Sequence, residues 1–205
     1  MMRFVPLACL LVFVGIGVGW RAYHHWNRFG ATGIALFRSG RAAQHMRDAL
    51  LVLLLIIVGS EAVAAAFVPA LLRRLRYVPG LDSSWAAGSG AALVIAATAL
   101  MAASQLHLGA SWRIGIEEDA RPGLVTRGFY RFCRNPIFVF MLAGIAGFVL
   151  LIPTWMSLAM WVATYVGIRA QVVQEESYLL RTYGEEYRAY ANRVGRFMPG
   201  VGRLS

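Results

Sequence analysis

Two polar clusters flank a long apolar stretch in the last third of the chain. They are Arg134-Asn135-Pro136-Ile137-Phe138 and Glu175-Glu176. A guanidinium, an amide and two carboxylates that bracket an apolar hairpin converge on one face of a membrane. A water-soluble cofactor can meet a membrane-dissolved substrate there, and a packed soluble core has no use for the arrangement. Adjacent carboxylates on a helix point about 100° apart, so Glu175 and Glu176 serve different partners. Pro136, at a helix start, fixes the backbone and leaves nearby amide and carbonyl groups available to a ligand.

The elements that must carry these residues are membrane helices. The chain is 59% hydrophobic and 15% charged, with a mean hydropathy of +0.58, well away from a soluble domain. Residues 4–20, 49–72, 85–106, 136–152 and 154–169 are apolar enough to span, against the roughly 17 to 25 residues a hydrocarbon core requires. The last two are short, and Pro153 between them predicts a tight turn between antiparallel helices. The predicted fold is all-α: a polytopic membrane protein of about five transmembrane helices, whose C-terminal helical region covers the site.

The net charge of +10 comes from twenty arginines and no lysine. With five spans, sixteen of those arginines fall on the side of the C-terminus and four, Arg3, Arg73, Arg74 and Arg76, on the other. The positive-inside rule then predicts N-terminus outside and C-terminus in the cytoplasm, against the pull of the Arg73–Arg76 cluster. Anionic headgroups account for the excess charge, and no nucleic-acid partner is expected. Arg3 ahead of an apolar run resembles a signal peptide, but more basic residues follow the run than precede it, which favours an uncleaved span. Cys9 and Cys133 fall in a span and in a polar segment, so neither a disulfide nor a metal site is expected.

The whole chain reads as one domain, with scaffold over 1–106 and a cofactor-binding part over 107–205. Gly15 and Gly19 have small-xxx-small spacing, and 85–103 is rich in Ala, Gly and Ser, both expected at close helix contacts. Glu61 sits near the middle of the second span, either lining a substrate cavity or tying two helices together. The triplet Glu117-Glu118-Asp119 reads as a solvated turn. Tyr178, Leu179, Tyr183, Tyr187 and Tyr190 recur at helical spacing, giving an aromatic face interrupted by Gly184 and ended by Pro199-Gly200.

Taken in order, these segments resemble the integral-membrane methyltransferases that include isoprenylcysteine carboxyl methyltransferases and phospholipid N-methyltransferases. Their signature runs Arg-His-Pro-x-Tyr, a hydrophobic stretch, Glu-Glu; here it is Arg134-Asn135-Pro136-Ile137-Phe138 and Glu175-Glu176. Leu108-Gly109-Ala110-Ser111-Trp112, the run from Gly123 through Tyr130, the run from Tyr183 through Tyr190, and Arg196-Phe197-Met198-Pro199 extend the likeness over 106–199. The resemblance implies S-adenosylmethionine as methyl donor and a lipophilic small molecule or lipid as acceptor. It implies a donor site formed by Tyr130, Arg134, Asn135, Pro136, Phe138, Glu175 and Glu176, with Asn135 and Arg169 as catalytic candidates. Glu175 and Glu176 would accept hydrogen bonds from the donor's ammonium or ribose, Arg134 would pair with its carboxylate, and Arg169 would hold an anionic substrate group or snorkel to headgroups.

The departures bear on the reaction. The family's His is Asn135, its Tyr is Phe138, and a common Gly is Phe140. Two further His positions are Gln105 and Pro122, with His107 offset by two from the first. An amide cannot shuttle a proton as imidazole does. A carboxylate acceptor is already ionised at neutral pH, a thiol needs modest activation, and an ammonium must first lose a proton. The expectation is therefore carboxyl or thiol methylation of the isoprenylcysteine type, ahead of phospholipid N-methylation. An NADPH-dependent sterol-type reductase shares a related motif but resembles longer chains. A non-catalytic protein on the same fold is the remaining alternative, and Cys133 reads as a packing residue.

Overall fold

The structure, a computed structural model, describes all residues except 1, 39–41, 73, 76, 115–122 and 205. Arg73, Arg76, Arg121, Pro122 and the Glu117-Glu118-Asp119 triplet thus lie outside the described residues. The helices are α1 (Met2–Phe29), α2 (Ala42–Phe67), a one-turn α3 (Pro69–Leu72), α4 (Ser84–Leu108), α5 (Pro136–Leu151) and α6 (Trp155–Arg193). Each predicted apolar segment is a helix. Four are long and apolar enough to cross a membrane, while α5 has 16 residues. Ile152-Pro153-Thr154 forms the expected turn between α5 and α6, with the Thr154 hydroxyl capping α6 by accepting from the Ser157 amide at 3.0 Å.

Two helices outrun the apolar pattern. Beyond Trp20, α1 passes from a π turn (Gly15–Trp20) into Arg21–Phe29, which is polar but buries Arg21, Ala22 and His25 on one face. Helix α6 runs for 39 residues, about 58 Å at 1.5 Å per residue, so its polar half must project past a hydrocarbon core of about 30 Å. That projection is broken at Gly184, whose φ of 52° and ψ of −124° suit only glycine.

Small residues set the main helix crossing, between α4 and α5. A Cβ on Gly90 would come 2.7 Å from the Gly147 carbonyl, and one on Gly147 2.8 Å from the Gly90 carbonyl. The Gly15 and Gly19 spacing makes no such approach among the described residues: a Cβ on either would have no atom of another element within 4 Å, and Gly17 faces Met101 of α4 instead. The membrane core gathers Cys9 and Leu10, Ala62 and Ala65, Leu72, Val94, Phe148 and Ile152. Large side chains such as Leu53, Ile56, Ile95 and Val166 remain exposed around it, as lipid-facing residues must.

Glu61 ties helices together. Its two carboxylate oxygens accept from Thr154 Oγ1 at 2.8 Å and Ser157 Oγ at 3.0 Å, joining α2 to the start of α6. Because α2 begins at Ala42, Glu61 is near the end of its helix rather than the middle, level with the Pro153 turn.

Candidate functional site

The other end of the bundle collects the polar residues. A 3-10 turn (Gly128–Arg131) leads into Arg134, and Pro136 opens α5 with its side chain buried. The polar half of α6 brings Glu175 and Glu176 alongside. After α6 the chain turns back, and the Arg134 amide donates to the Gly195 carbonyl at 2.9 Å.

Arg134 and Glu176 form the centre of a clasp. Arg134 Nε and Nη2 donate to Glu176 Oε1 at 2.9 and 2.7 Å. Nη1 donates to the carbonyls of Ala191 and Val194, and Nη2 also donates to the Gly202 carbonyl at 3.0 Å. Those bonds occupy every N–H of the guanidinium. Glu176 Oε2 accepts from Arg196 Nε and Nη2 at 2.9 and 2.7 Å, so both carboxylate oxygens are taken as well. The carboxylate holds the Arg196 guanidinium above its ordinary pKa, with burial opposing. Asn135 Nδ2 donates to the Arg196 carbonyl at 3.1 Å. Arg134 therefore meets Glu176 directly and Asn135 reaches the Arg196 backbone beside it, and these bonds are made to one another and to the C-terminal segment.

Glu175 behaves differently. It is half-buried, and only its Oε1 accepts a hydrogen bond among the described residues, from Gln171 Nε2 at 2.8 Å. Gln171 in turn accepts from Arg47 Nε at 3.2 Å, tying α2 to α6. Oε2 of Glu175 is left for another partner.

Tyr130 is buried in the turn ahead of Arg134. Burial pushes its phenol far above the ordinary value; Glu175, Tyr190 and Cys133 add to the shift and Arg21 opposes it. The Tyr130 carbonyl accepts from Tyr190 Oη at 2.6 Å, locking the turn to the aromatic face of α6. Burial likewise raises the Cys133 thiol, against a hydrogen bond from the Asn135 backbone. Both groups are protonated at neutral pH, and Cys133 packs as a small buried side chain. Phe138 is half-buried in the first turn of α5. Arg169 is exposed on α6, about 9 Å along the axis from Glu175, outside the clasp.

Residues that sequence reasoning left unassigned complete the rim. Arg196 lies twenty positions from Glu176, across the Gly184 break and the chain reversal, so spacing gives no hint of their pairing. Arg21 and His25 are the i and i+4 residues of an inward face, a helical period that continues beyond the predicted span of residues 4–20. Trp112 and Gly128 owe their places to local packing. Trp112 covers the Arg21 guanidinium at 4.6 Å, and Gly128 sits where a Cβ would meet the His107 ring at 2.8 Å.

The phospholipid methyltransferase family model matches residues 85–186, the stretch from the start of α4 to just past Gly184. A search of solved structures matches an intramembrane Ras methyltransferase of eukaryotic origin, isoprenylcysteine carboxyl methyltransferase, with a TM-score of 0.60. The likeness covers 96% of this chain and 70% of that one at 18% identity, and it concerns the fold. No curated protein matches the sequence. Helix order and family model agree, and the chain belongs to the isoprenylcysteine carboxyl methyltransferase and phospholipid methyltransferase family of integral-membrane methyltransferases.

Proposed function

We propose that the chain is an S-adenosylmethionine-dependent methyltransferase of the isoprenylcysteine carboxyl methyltransferase type, acting on a carboxyl or thiol group of a lipophilic acceptor. The observation that carries this reading is Glu175 at the rim. It is a half-buried carboxylate with one unspent oxygen, set beside a clasp that holds its surroundings rigid. The donor's ammonium and ribose hydroxyls are the groups such an oxygen accepts from. When bound, the donor supplies an electrophilic methyl on a sulfonium. The chain's own task is to orient the two reactants and exclude water.

The clasp gives Arg134, Asn135 and Glu176 a positioning role: they fix the C-terminal cover over Tyr130 and the start of α5. Tyr130 and Cys133, both shifted upward, offer no base near neutral pH. An acceptor that arrives already ionised needs none, which favours a carboxylate. Phospholipid N-methylation is the second reading. Its specific support is Glu175 itself, since a half-buried carboxylate can also take a proton from an ammonium. The donor site faces the cytoplasm in this reading, with the exposed apolar flanks of α2 and α6 giving the acceptor its approach.

Calorimetry on the purified protein in detergent tests the donor, with S-adenosylmethionine expected to bind and NADPH not. No binding of S-adenosylmethionine, or binding of NADPH instead, overturns the reading. Labelled donor incubated with prenylcysteine analogues and native lipids tests the acceptor. A base-labile product is an ester, and a base-stable one promotes the amine reading.

A further inference from the structure

Helix α1 carries a buried charge that the fold leaves incomplete. Arg21 is 1% exposed, and one nitrogen does all its hydrogen bonding: Nη2 donates to the carbonyls of Gln105 at 3.3 Å and Gly109 at 2.9 Å. Nε and Nη1 have no hydrogen-bond partner among the described residues, and no carboxylate there forms an ion pair with the side chain. Carbonyl dipoles at the end of α4 and the Trp112 ring, 4.6 Å away, offset part of the charge. A guanidinium this deeply buried still calls for an anion.

Two orphaned acceptors share the patch. Gln105 donates through Nε2 to the Gly17 carbonyl at 2.9 Å, which fixes the amide and leaves buried Oε1 unpaired. His25 Nδ1 is 2.6 Å from the Ala31 carbonyl and must carry a proton there. In the neutral ring, Nε2 is then an acceptor, and it too is buried and unpaired. Trp112 joins the three residues, its ring 5.7 Å from His25 and stacked on Arg21, which holds the Gln105 backbone. Unspent donors on a cation beside unspent acceptors are the complement of one ligand group: a carboxylate with an N–H next to it.

We propose that Arg21, with Gln105 and His25, recognises the carboxylate-and-N–H end of an amino-acid-like ligand. The inference deepens the methyltransferase reading and rests on it, because both reactants there have such an end. The donor has a methionyl carboxylate and ammonium, and a prenylated cysteine acceptor has a terminal carboxylate and its amide or amine. The patch lies beside the turn that leads to the rim: Arg21 holds the Gln105 and Gly109 carbonyls, and His107 between them packs on Phe129 at 5.4 Å and against Gly128. If the patch takes the donor's amino-acid end, Glu175 is left for the ribose.

The test is calorimetric binding by the intact protein, Arg21→Gln and Arg21→Lys, with two ligand pairs. S-adenosylhomocysteine is paired with methylthioadenosine, which lacks the amino-acid end, and farnesylcysteine with its methyl ester. Arg21→Gln is expected to weaken the carboxylate-bearing member of one pair by about tenfold or more and to leave its partner nearly unchanged. Loss in the first pair assigns the patch to the donor, and loss in the second to the acceptor. Equal loss within each pair, or none, overturns the inference. If Arg21→Gln does not fold, Arg21→Lys keeps the charge, loses the planar fork and is read by the same pairwise difference. Intact protein that binds neither adenosine ligand overturns the donor reading, while the farnesylcysteine pair still decides the role of Arg21.

Discussion

Arg134 and Arg21 are the same side chain at similar burial, 6% and 1% exposed, and they end in opposite states. Arg134 has given every N–H to Glu176 and three carbonyls, whereas Arg21 keeps two nitrogens unpaired. A saturated buried cation belongs to the fold, and an unsaturated one awaits something outside it. The carboxylates divide the same way, with Glu176 filled on both oxygens and Glu175 on one.

The largest effect should come from the saturated side. Glu176→Gln leaves two guanidiniums facing a neutral amide in a buried setting, and breaking such a pair costs about 3–5 kcal/mol. Unfolding in detergent should show that loss, together with earlier proteolysis of the chain after Gly184. A Glu176→Gln variant of unchanged stability that fails only to bind the donor would erase the distinction between the two arginines.

Glu175→Gln should do the reverse. A glutamine there keeps an amide oxygen that can accept from Gln171 Nε2 at a half-buried position, so stability changes little. Affinity for S-adenosylmethionine should fall by about tenfold, since a hydrogen bond to a charged group is lost. Calorimetry on Glu175→Gln beside Glu176→Gln, each with its unfolding curve, separates a ligand contact from a positioning one. Equal affinity for Glu175→Gln and the intact protein would move the donor contact elsewhere.

How much of this was legible beforehand follows from range. The α5–α6 hairpin, its Pro153 turn and the order of apolar helices come from local pattern, and each is present. The rim was legible only as an address. Arg134, Asn135, Glu175 and Glu176 do gather at one end, but sequence could not say which carboxylate would be consumed. That depends on Arg196 and on carbonyls of residues 191–202, brought in by the chain reversal after α6. Arg21 was hidden for another reason: its burial is made by Trp112 and the end of α4, far along the chain, so locally it reads as one more interfacial arginine. Gly15 and Gly19 mislead in the same way, because spacing permits a close approach but cannot say which face meets a neighbour.

Glu61 extends the comparison to the opposite end of the bundle, where, among the described residues, a carboxylate is held by two hydroxyls and no cation. It belongs with the saturated groups, so Glu61→Leu should cost stability and nothing else. Thr154 and Ser157 would keep their mutual hydrogen bond, at 2.9 Å, and the bond from the Ser157 amide, but one hydroxyl proton would lose its acceptor at the start of α6. The penalty for leaving buried hydroxyls short is about 1–3 kcal/mol, below that of Glu176→Gln. Donor affinity should be unchanged, and a drop would show that the two ends communicate through α6.

Cys133 gives the smallest and most local test. Its thiol lies buried next to Arg134, in the segment pinned by the clasp, and burial raises its pKa above the ordinary thiol value. The thiolate is the reactive form, so alkylation by iodoacetamide near pH 8 should be about tenfold slower than for an exposed cysteine. The sign follows from the direction of the shift. A raised folded pKa lets the unfolded thiol ionise first, so this group's contribution to stability is intact below the ordinary thiol pKa. It is lost as pH climbs from there through the folded value. In Glu176→Gln the clasp opens and Cys133 should label faster; Glu175→Gln should leave the rate alone. Fast labelling in the intact protein would mean that the clasp opens readily, and the contrast between Arg134 and Arg21 would then be one of time spent closed rather than of bonds made.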